Sequence, residues 1–244
     1  MNNFKIKSLT AEQKETRRRI LEISFRKGFS HLGSCLGSID LIDGIYKIKN
    51  RDEKFILSNG HAGIALYVVL EKNGFIKDDD IKKMHIHPDM NPKLGIDVST
   101  GSLGQGLPIS LGMALSDKSK NVYCLISDGE CSEGSIWETL RIAQENKVGN
   151  LKIIVNANGW KAYDSVDLKS LISRFKGFGF DIKEVNGSDI NGIIETLKEN
   201  APEKKLTIIF ARTCGDQFPF LNGLDSHYYK MTEEDFQKAL ELLK

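Results

Sequence analysis

Two polar segments have residue types and a spacing that suit a metal site. "SDGECSEG" follows the apolar run "VYCLI", and "NANGWKA" follows "LKIIV". Asp128 and Asn158 are 30 residues apart, the length of one strand-helix-strand crossover, so we expect both at the same edge of a parallel sheet. A carboxylate, an amide oxygen and a nearby backbone carbonyl are ligands that Mg²⁺ takes together with phosphate oxygens and water. The spacing predicts a magnesium-diphosphate site, whereas a lone Asp-Gly pair would predict only a turn.

A glycine-rich segment, "STGSLGQGLP", could bring backbone close to a ligand. Pro108 indicates that a helix begins there, and helix N-termini attract phosphate. The spacing is GxxGxG and not the GxGxxG of dinucleotide-binding folds, so a tight turn with close helix packing explains it equally well. A nicotinamide-dependent dehydrogenase, with Asp128 as the ribose-binding acid 22 residues after Gly106, would leave the histidines without a role.

Four of the five histidines lie beside glycine or proline in predicted loops, in "SHLG", "NGHAG" and "MHIHP". This clustering is unusual for histidines of a core. A zinc site would need cysteines or carboxylates at ligand spacing, and none accompanies these positions. Each histidine alone is more often structural, so a functional role needs support from other residues.

Helices and strands alternate along the chain. Thr10 and Gln13 have capping-box spacing before a first helix that ends at Gly28, and Thr232 begins a capped final helix. A second helix is predicted in "GSIDLIDGIYKI" and another in "GHAGIALYVVLEKNG". Strands are predicted in "KFILS", "NVYCLIS", "LKIIVN" and "LTIIFA". The pattern predicts an α/β fold, in which a parallel sheet carries helices on both faces within one domain spanning residues 1–244.

Composition excludes several classes of protein. The 244 residues are 40% apolar and 27% charged, with a net charge of +1, so no overall field favours nucleic acid or a membrane surface. We interpret "TRRRI" as one solvated helix face. The four cysteines lack CxxC spacing and predict free thiols. The N-terminal segment "MNNFKIKSLTAEQ" has no apolar h-region, and no run of about 18 apolar residues occurs. We therefore expect a cytoplasmic protein.

Six motifs occur in an order that resembles the diphosphate-binding part of transketolase, a thiamine diphosphate enzyme. The likeness is close over about residues 10–165 and looser after them. The motifs are "SHLGSCLGSIDLI", "FILSNGHAGIALYVVL", "IHP", "STGSLGQGLPISLGMAL", "SDGECSEGSIWETL" and "NANGWKAYD".

This resemblance implies specific ligands for the metal and the cofactor. Asp128, Asn158 and the backbone carbonyl of Trp160 match the ligands of Mg²⁺, for which Ca²⁺ or Mn²⁺ can substitute. His61 matches a histidine that contacts the diphosphate. The remaining matches to cofactor-binding positions are Gly129 at the phosphates and Gly101, Ser102 and Leu103 at the aminopyrimidine.

The resemblance also implies which residues contact the substrate. His31 and His87 match histidines that contact substrate and can move protons near neutral pH, and His227 matches one near the diphosphate and substrate. Glu133 resembles an acid that faces its counterpart across the dimer, whereas Glu130 receives no role and is interpreted as a solvated or helix-capping acid. The family's Gly-Asp-Gly reads Ser-Asp-Gly here, its Gly-His-Pro reads Ser-His-Leu, and Tyr228 replaces the glycine after His227.

The implied activity is transfer of a two-carbon ketol unit from a ketose to an aldose. Transketolase also has a pyrimidine-binding domain, with a glutamate needed against the aminopyrimidine, and a C-terminal domain. Neither matches this sequence, so we expect the N-terminal subunit of a split transketolase, active only with a partner in an α2β2 assembly and acting on sugars or sugar phosphates. Two alternatives are a decarboxylating thiamine diphosphate enzyme component and a non-catalytic scaffold subunit of the same fold.

Overall fold

A parallel sheet of five strands forms the centre of the computed structural model, which describes residues 6–199 and 206–244. The predicted domain of residues 1–244 thus includes two segments, 1–5 and 200–205, that lie outside the described residues. The strand order is β1-β2-β3-β5-β4, and every neighbouring pair is parallel. The strands are β1 Lys54–Leu57, β2 Val122–Ser127, β3 Leu151–Ala157, β4 Asp181–Asn186 and β5 Thr207–Arg212.

Helices cover both faces of this sheet, as the alternating pattern predicts. Tyr123 and Leu125 of β2 point into one apolar cluster, and Cys124 and Ile126 point into the other. The first cluster is formed with α1, α2, α3, α8 and α9, and the second with α5, α6 and α7. The helices are α1 Ala11–Lys27, α2 Leu32–Tyr46, α3 Gly63–Lys72, α4 Asp78–Ile81, α5 Gly106–Ser116, α6 Gly134–Glu145, α7 Leu168–Gly177, α8 Ile190–Lys198 and α9 Glu233–Leu242.

The predicted helix caps are present. Thr10 Oγ1 accepts from the Gln13 amide, the Gln13 side chain accepts from the Thr10 amide, and Gly28 ends α1 with φ of 61°. Thr232 and Asp235 form the same reciprocal pair before α9. These caps satisfy backbone groups that the helix cannot satisfy internally.

Two elements differ from the sequence-based expectation. The strand β4, "DIKEVN", was not predicted because it is a polar edge strand that bonds only β5 and buries little of either face. The helix α2 begins at Leu32, five residues before the predicted segment, and every residue from Leu32 to Ile45 is buried. A helix that is buried on all sides has no amphipathic pattern from which its start can be read.

The "TRRRI" interpretation is wrong for Arg17, whose side chain lies inside the protein. Arg17 is 0% exposed and Asp40 of α2 is 3% exposed. The guanidinium donates to both carboxylate oxygens of Asp40, at 3.1 and 2.6 Å, and its Nε donates to Gln217 Oε1 at 2.8 Å. This bidentate pair satisfies two charges that would otherwise be costly to bury.

None of the helices in residues 6–199 and 206–244 is both long and apolar enough to span a membrane. All four cysteines carry free thiols, and Cys35, Cys124 and Cys131 are buried. Burial raises the pKa of Cys35 to about 12, so this thiol is uncharged at neutral pH.

Removing one partner of the buried ion pair should destabilise the chain strongly. Asp40→Ala leaves the Arg17 guanidinium in the interior without its carboxylate, and breaking a buried pair from one side costs about 3–5 kcal/mol. Denaturant unfolding measures this change. The matched control is Glu138→Ala, which removes an exposed pair with Arg141 on α6 and should leave the midpoint near that of the wild type. Equal midpoints for the two variants would contradict the role assigned to the Arg17–Asp40 pair.

Candidate active site

A cavity of about 370 Å³ opens at the carboxyl edge of the sheet, where ligands of open α/β sheets bind. Segments that follow β1, β2, β3 and β5, together with the loops before α2 and α5, line it. The lining includes predicted site residues from all of these segments: His31, His61, His87, Gly101, Leu103, Gly129, Glu133, Asn158, Trp160 and His227.

Asp128 lies behind this lining, with 1% of its surface exposed. Its Oδ1 accepts from the Gly129 amide at 2.9 Å, and its Oδ2 accepts from the Gly159 amide at 2.7 Å. Asp128 therefore lies at the same sheet edge as Asn158, the residue before Gly159, as the crossover spacing predicts. Burial raises the pKa of Asp128 to about 7, although the backbone donors oppose the rise. Arg212, the cation whose field reaches it, pairs with Glu184 instead.

The other two predicted metal ligands, Asn158 and the carbonyl of Trp160, lie in one turn after β3. Asn158 Oδ1 accepts from the Trp160 amide at 2.8 Å, which folds the segment into a tight turn. A side chain at Gly129 would come within 3.4 Å of the Trp160 carbonyl oxygen and 3.1 Å of Lys161 Cβ. The absence of a side chain at Gly129 thus lets the two loops meet, and it leaves the carbonyl of Trp160 beside the residue that follows Asp128.

His31 lies at the start of α2 in the left-handed region, with φ of 64°. This conformation is unfavourable for a residue other than glycine and persists only where surrounding contacts impose it. The His31 amide donates to the His227 carbonyl at 2.9 Å, and the Ser30 hydroxyl lies 2.8 Å from His31 Nδ1. The strained backbone therefore places the imidazole in the cavity.

The structure brings His31 into a group with two other histidines. Its ring centroid is 5.2 Å from that of His61 and 6.4 Å from that of His227. Burial, with a smaller contribution from neighbouring histidines, lowers the pKa of His31 to about 4 and that of His61 to about 3. Burial also lowers the pKa of His227. His31 and His61 are therefore neutral at pH 7, so each has one ring nitrogen available to accept a proton.

His87 approaches the cavity from the loop before α5, and its ring lies against Gly101. A side chain at Gly101 would meet His87 Cδ2 at 3.2 Å, and one at Gly60 would meet the Thr100 carbonyl at 2.6 Å. Ser102 is exposed and is not among the cavity-lining residues. His85, two residues before His87, lies outside the cavity, and its carbonyl accepts from Tyr67 Oη at 2.9 Å.

Asn59 and Ser34 are among the cavity residues that were not predicted from the sequence. Asn59 is 0% exposed, and neither its side-chain oxygen nor its nitrogen has a hydrogen-bond partner within the described residues. The Ser34 hydroxyl is likewise buried without one, and so is Nδ1 of His227. Buried polar atoms are almost always satisfied, so these atoms indicate a polar ligand. Their position beside His31 and His61 in the motifs was the available signal.

The interpretation of Glu130 as a solvated or capping acid is wrong. Glu130 is 0% exposed. It accepts hydrogen bonds from the Ser58 hydroxyl at 2.7 Å and from the amides of Gly104 at 2.9 Å and Ser127 at 3.0 Å. Glu133, three residues later, is exposed at the rim of the cavity.

Tyr228 also lies at the rim. The residue is 55% exposed, and its ring meets that of His31 nearly edge-on, with the ring centroids 5.7 Å apart. The residue that departs from the expected glycine therefore narrows the side of the cavity where His31 and His227 lie.

The site has the properties that a divalent cation and an anionic ligand require. The buried Asp128 carboxylate makes no ion pair with any described residue, and a bound cation would supply the missing charge. Asn59, Ser34 and His227 present polar atoms without partners, and glycines keep the backbone of both loops accessible. These residues fit a metal-diphosphate group.

Lowering the pH from about 6.5 to 4 should destabilise the chain partly through His61. The pKa of His61 is about 3 in the folded chain against 6.5 for an ordinary histidine, so the unfolded state takes up a proton first. The stabilisation that is complete above pH 6.5 is then lost as the pH falls. We expect the free energy of unfolding of His61→Gln to fall less steeply than that of the wild type in denaturant titrations.

The control for this measurement is His85→Gln, an exposed histidine outside the cavity, whose slope should match the wild type. If the free energy of unfolding fell equally steeply with pH for the wild type and His61→Gln, burial of neutral His61 would not contribute to the loss of stability in acid.

Relatives of this chain include proteins that are named as transketolase subunits. One subunit of the apulose-4-phosphate transketolase of Actinobacillus succinogenes is 28% identical, with 99% of this chain and 98% of that protein covered. The 6-deoxy-6-sulfo-D-fructose transketolase subunit SqwG of a Clostridium species is 28% identical, with 93% of each protein covered.

Among solved structures, the transketolase of Campylobacter jejuni matches with a TM-score of 0.84 and 26% identity over 96% of this chain. The chain spans 42% of the length of that transketolase. A family model described as "Transketolase, thiamine diphosphate binding domain" matches residues 45–240. The fold and family predicted from the motifs are thereby confirmed: the chain belongs to the transketolase family and carries its thiamine diphosphate binding domain.

Proposed function

We propose that this chain is the cofactor-binding subunit of a two-subunit transketolase that moves a two-carbon ketol unit from a ketose to an aldose. The observation that carries the proposal is the Asp128 carboxylate, which is buried at the end of β2 beside Asn158 and has no cation of its own. Membership of the transketolase family supports the reaction class.

Asp128, Asn158 and the carbonyl of Trp160 hold Mg²⁺, or Ca²⁺ or Mn²⁺ in its place. Such a cation would supply the positive charge that the buried Asp128 carboxylate lacks and that a diphosphate needs. Thiamine diphosphate, when bound, supplies the chemistry that breaks and forms the carbon-carbon bond. His61 and Gly129 would contact the diphosphate, with the Gly129 amide shared with Asp128 Oδ1. Gly101, Ser102 and Leu103 would border the aminopyrimidine, although Ser102 is not among the residues that line the cavity.

His31, His87 and His227 face the substrate side of the cavity, where they orient sugar hydroxyls and exchange protons with them. The lowered pKa of His31 keeps its imidazole neutral near pH 7, the form that accepts a proton. The left-handed backbone of His31 is maintained by the contact with His227, so the two histidines are positioned together.

A second polypeptide supplies the pyrimidine-binding and C-terminal domains in this proposal. Two relatives that match this chain over nearly their whole lengths are named as subunits. Glu133 is exposed at the cavity rim, where it would contact an opposing subunit of an α2β2 assembly. The domain spanning residues 1–244 would then contribute half of each active site.

The substrate proposed for the assembly is a sugar that carries an anionic group. One relative is named for a sugar phosphate and another for a sulfonated sugar, and Lys161 adds a cationic side chain to the cavity lining. Tyr228, which narrows the cavity beside His31, is proposed to select among such sugars. The cytoplasm remains the predicted location.

Substituting the buried acid should weaken cofactor binding. Asp128→Asn removes the only charged metal ligand in the proposed set, and loss of even an outer-shell partner weakens metal sites about 10–100-fold. Calorimetric titration of the complex with thiamine diphosphate and Mg²⁺ should show at least this loss, and chelation of Mg²⁺ should have the same effect on the wild type. Asp117→Asn, an exposed acid at the opposite edge of the sheet, should bind like the wild type. Unchanged binding by Asp128→Asn would favour a scaffold role.

Ketol transfer should require both polypeptides. The chain alone is expected to be inactive with a ketose donor and an aldose acceptor, and the addition of a second chain that carries the pyrimidine-binding domain should produce turnover. A coupled assay that follows the shortened aldose product measures this directly. Turnover by the chain alone would refute the division of the site between two subunits, and release of carbon dioxide from a 2-oxo acid would instead support a decarboxylating component.

A further inference from the structure

Glu130 connects three segments at the carboxyl edge of the sheet. Its Oε1 accepts from the Ser58 hydroxyl, just after β1, and from the Gly104 amide, in the loop before α5. Its Oε2 accepts from the Ser127 amide at the end of β2. In return, the Glu130 amide donates to the Ser127 hydroxyl at 3.2 Å. One carboxylate thus fixes the relative positions of segments that lie 72 and 26 residues away along the chain.

The chemistry of these contacts requires a carboxylate. Oε1 and Oε2 each accept from a backbone N–H on a different segment, and neither amide can reverse its role. A glutamine has the same shape but only one acceptor oxygen. One of the two backbone amides would therefore face the NH₂ group of the glutamine, which is a donor, and would lose its acceptor.

The Gly104 peptide is held from both sides. Its N–H donates to Glu130, and its carbonyl accepts from the Ser135 hydroxyl of α6 at 2.7 Å. Gly104 has φ of 77°, and a side chain there would come within 2.7 Å of Glu133 Cβ. The backbone at Gly104 is consequently constrained in position and orientation immediately after Leu103, which lines the cavity together with Gly101.

We propose that Glu130 is a positioning residue for the cofactor, which holds the Gly101–Leu103 segment against the thiamine part of thiamine diphosphate without touching the ligand. Glu130 is fully buried and is not among the residues that line the cavity, so it acts through Gly104. The inference rests on the proposed function, because the segment borders the cofactor only if the cavity binds it. If the segment occupies its binding position for only part of the time, the apparent Kd rises by the inverse of that fraction.

The test is calorimetric titration of Glu130→Gln in complex with the pyrimidine-binding partner subunit. With saturating Mg²⁺, we expect the Kd for thiamine diphosphate to rise about tenfold or more, the effect of losing one hydrogen bond to a buried charged group. Inorganic pyrophosphate lacks the thiamine part and would contact the Asp128 side of the site. Its Kd should change by less than about twofold, within the range that small context effects produce.

Glu53→Gln is the matched control. Glu53 is also a buried glutamate that ties loops together, since it accepts from the Asn50 amide and from Asn121 Nδ2, but it lies at the opposite edge of the sheet. This variant should lose thermal stability and keep both Kd values. Should Glu130→Gln fail to fold, Ser135→Ala removes the second hold on the Gly104 peptide and should show the same selective loss.

The outcomes separate the two hypotheses. A loss confined to thiamine diphosphate supports the positioning role. Wild-type affinity of the Glu130 variant for both ligands, or an equal loss for both, overturns it. If the wild-type complex binds neither ligand, the proposed function fails, and the positioning role fails with it.

Discussion

The site depends on the parallel pairing of β1, β2, β3 and β5. Register aligns Leu57 with Leu125 and Ser127 with Asn156, so these strands end at one edge. Because all four run in the same direction, the residues that follow them meet there although they are far apart in the chain. Glycines at the contacts, among them Gly60 and Gly129, then allow the loops to approach within a few ångströms.

Three buried acids show how the environment decides the use of one functional group. Asp40 is neutralised by the guanidinium of Arg17 and contributes to stability. Glu130 is satisfied by three hydrogen-bond donors and connects loops. Asp128 accepts from two backbone amides and makes no ion pair with any described residue. Desolvation is costly for all three, and Asp128 is the one of the three for which we propose a cation as the partner.

Much of the fold could be predicted from the sequence because local signals were strong. The caps at Thr10 and Thr232 and four of the five strands follow from side-chain pattern alone. The strand β4 could not be predicted in this way, since its charged residues resemble a loop until β5 is placed beside it. Arg17 was misinterpreted as exposed, although it shares a helix face with the buried residues Ile20 and Leu21, three and four positions later.

In the site, too, features set by local sequence could be predicted, and features that depend on the folded chain could not. Ordered motifs identified the histidines, Asp128 and Asn158, because each motif is a local run of residues. Glu130 lies within one of those motifs, yet its role depends on partners that only the folded chain brings near. Asn59 is similar, because the absence of any hydrogen-bond partner for its amide among the described residues is a property of the folded structure alone.

The strand order also has a consequence for synthesis. β5 lies between β3 and β4 but leaves the ribosome after the other four strands of the described sheet. Until it arrives, β3 presents an unpaired edge and β4 has no neighbour. The hydrogen bond from Arg17 to Gln217 likewise forms only after 200 further residues have been synthesised. At about 5–20 residues per second, this synthesis takes roughly 10–40 s. The nascent chain therefore exposes an open strand edge, the type of surface that chaperones protect, until β5 has been synthesised through Arg212.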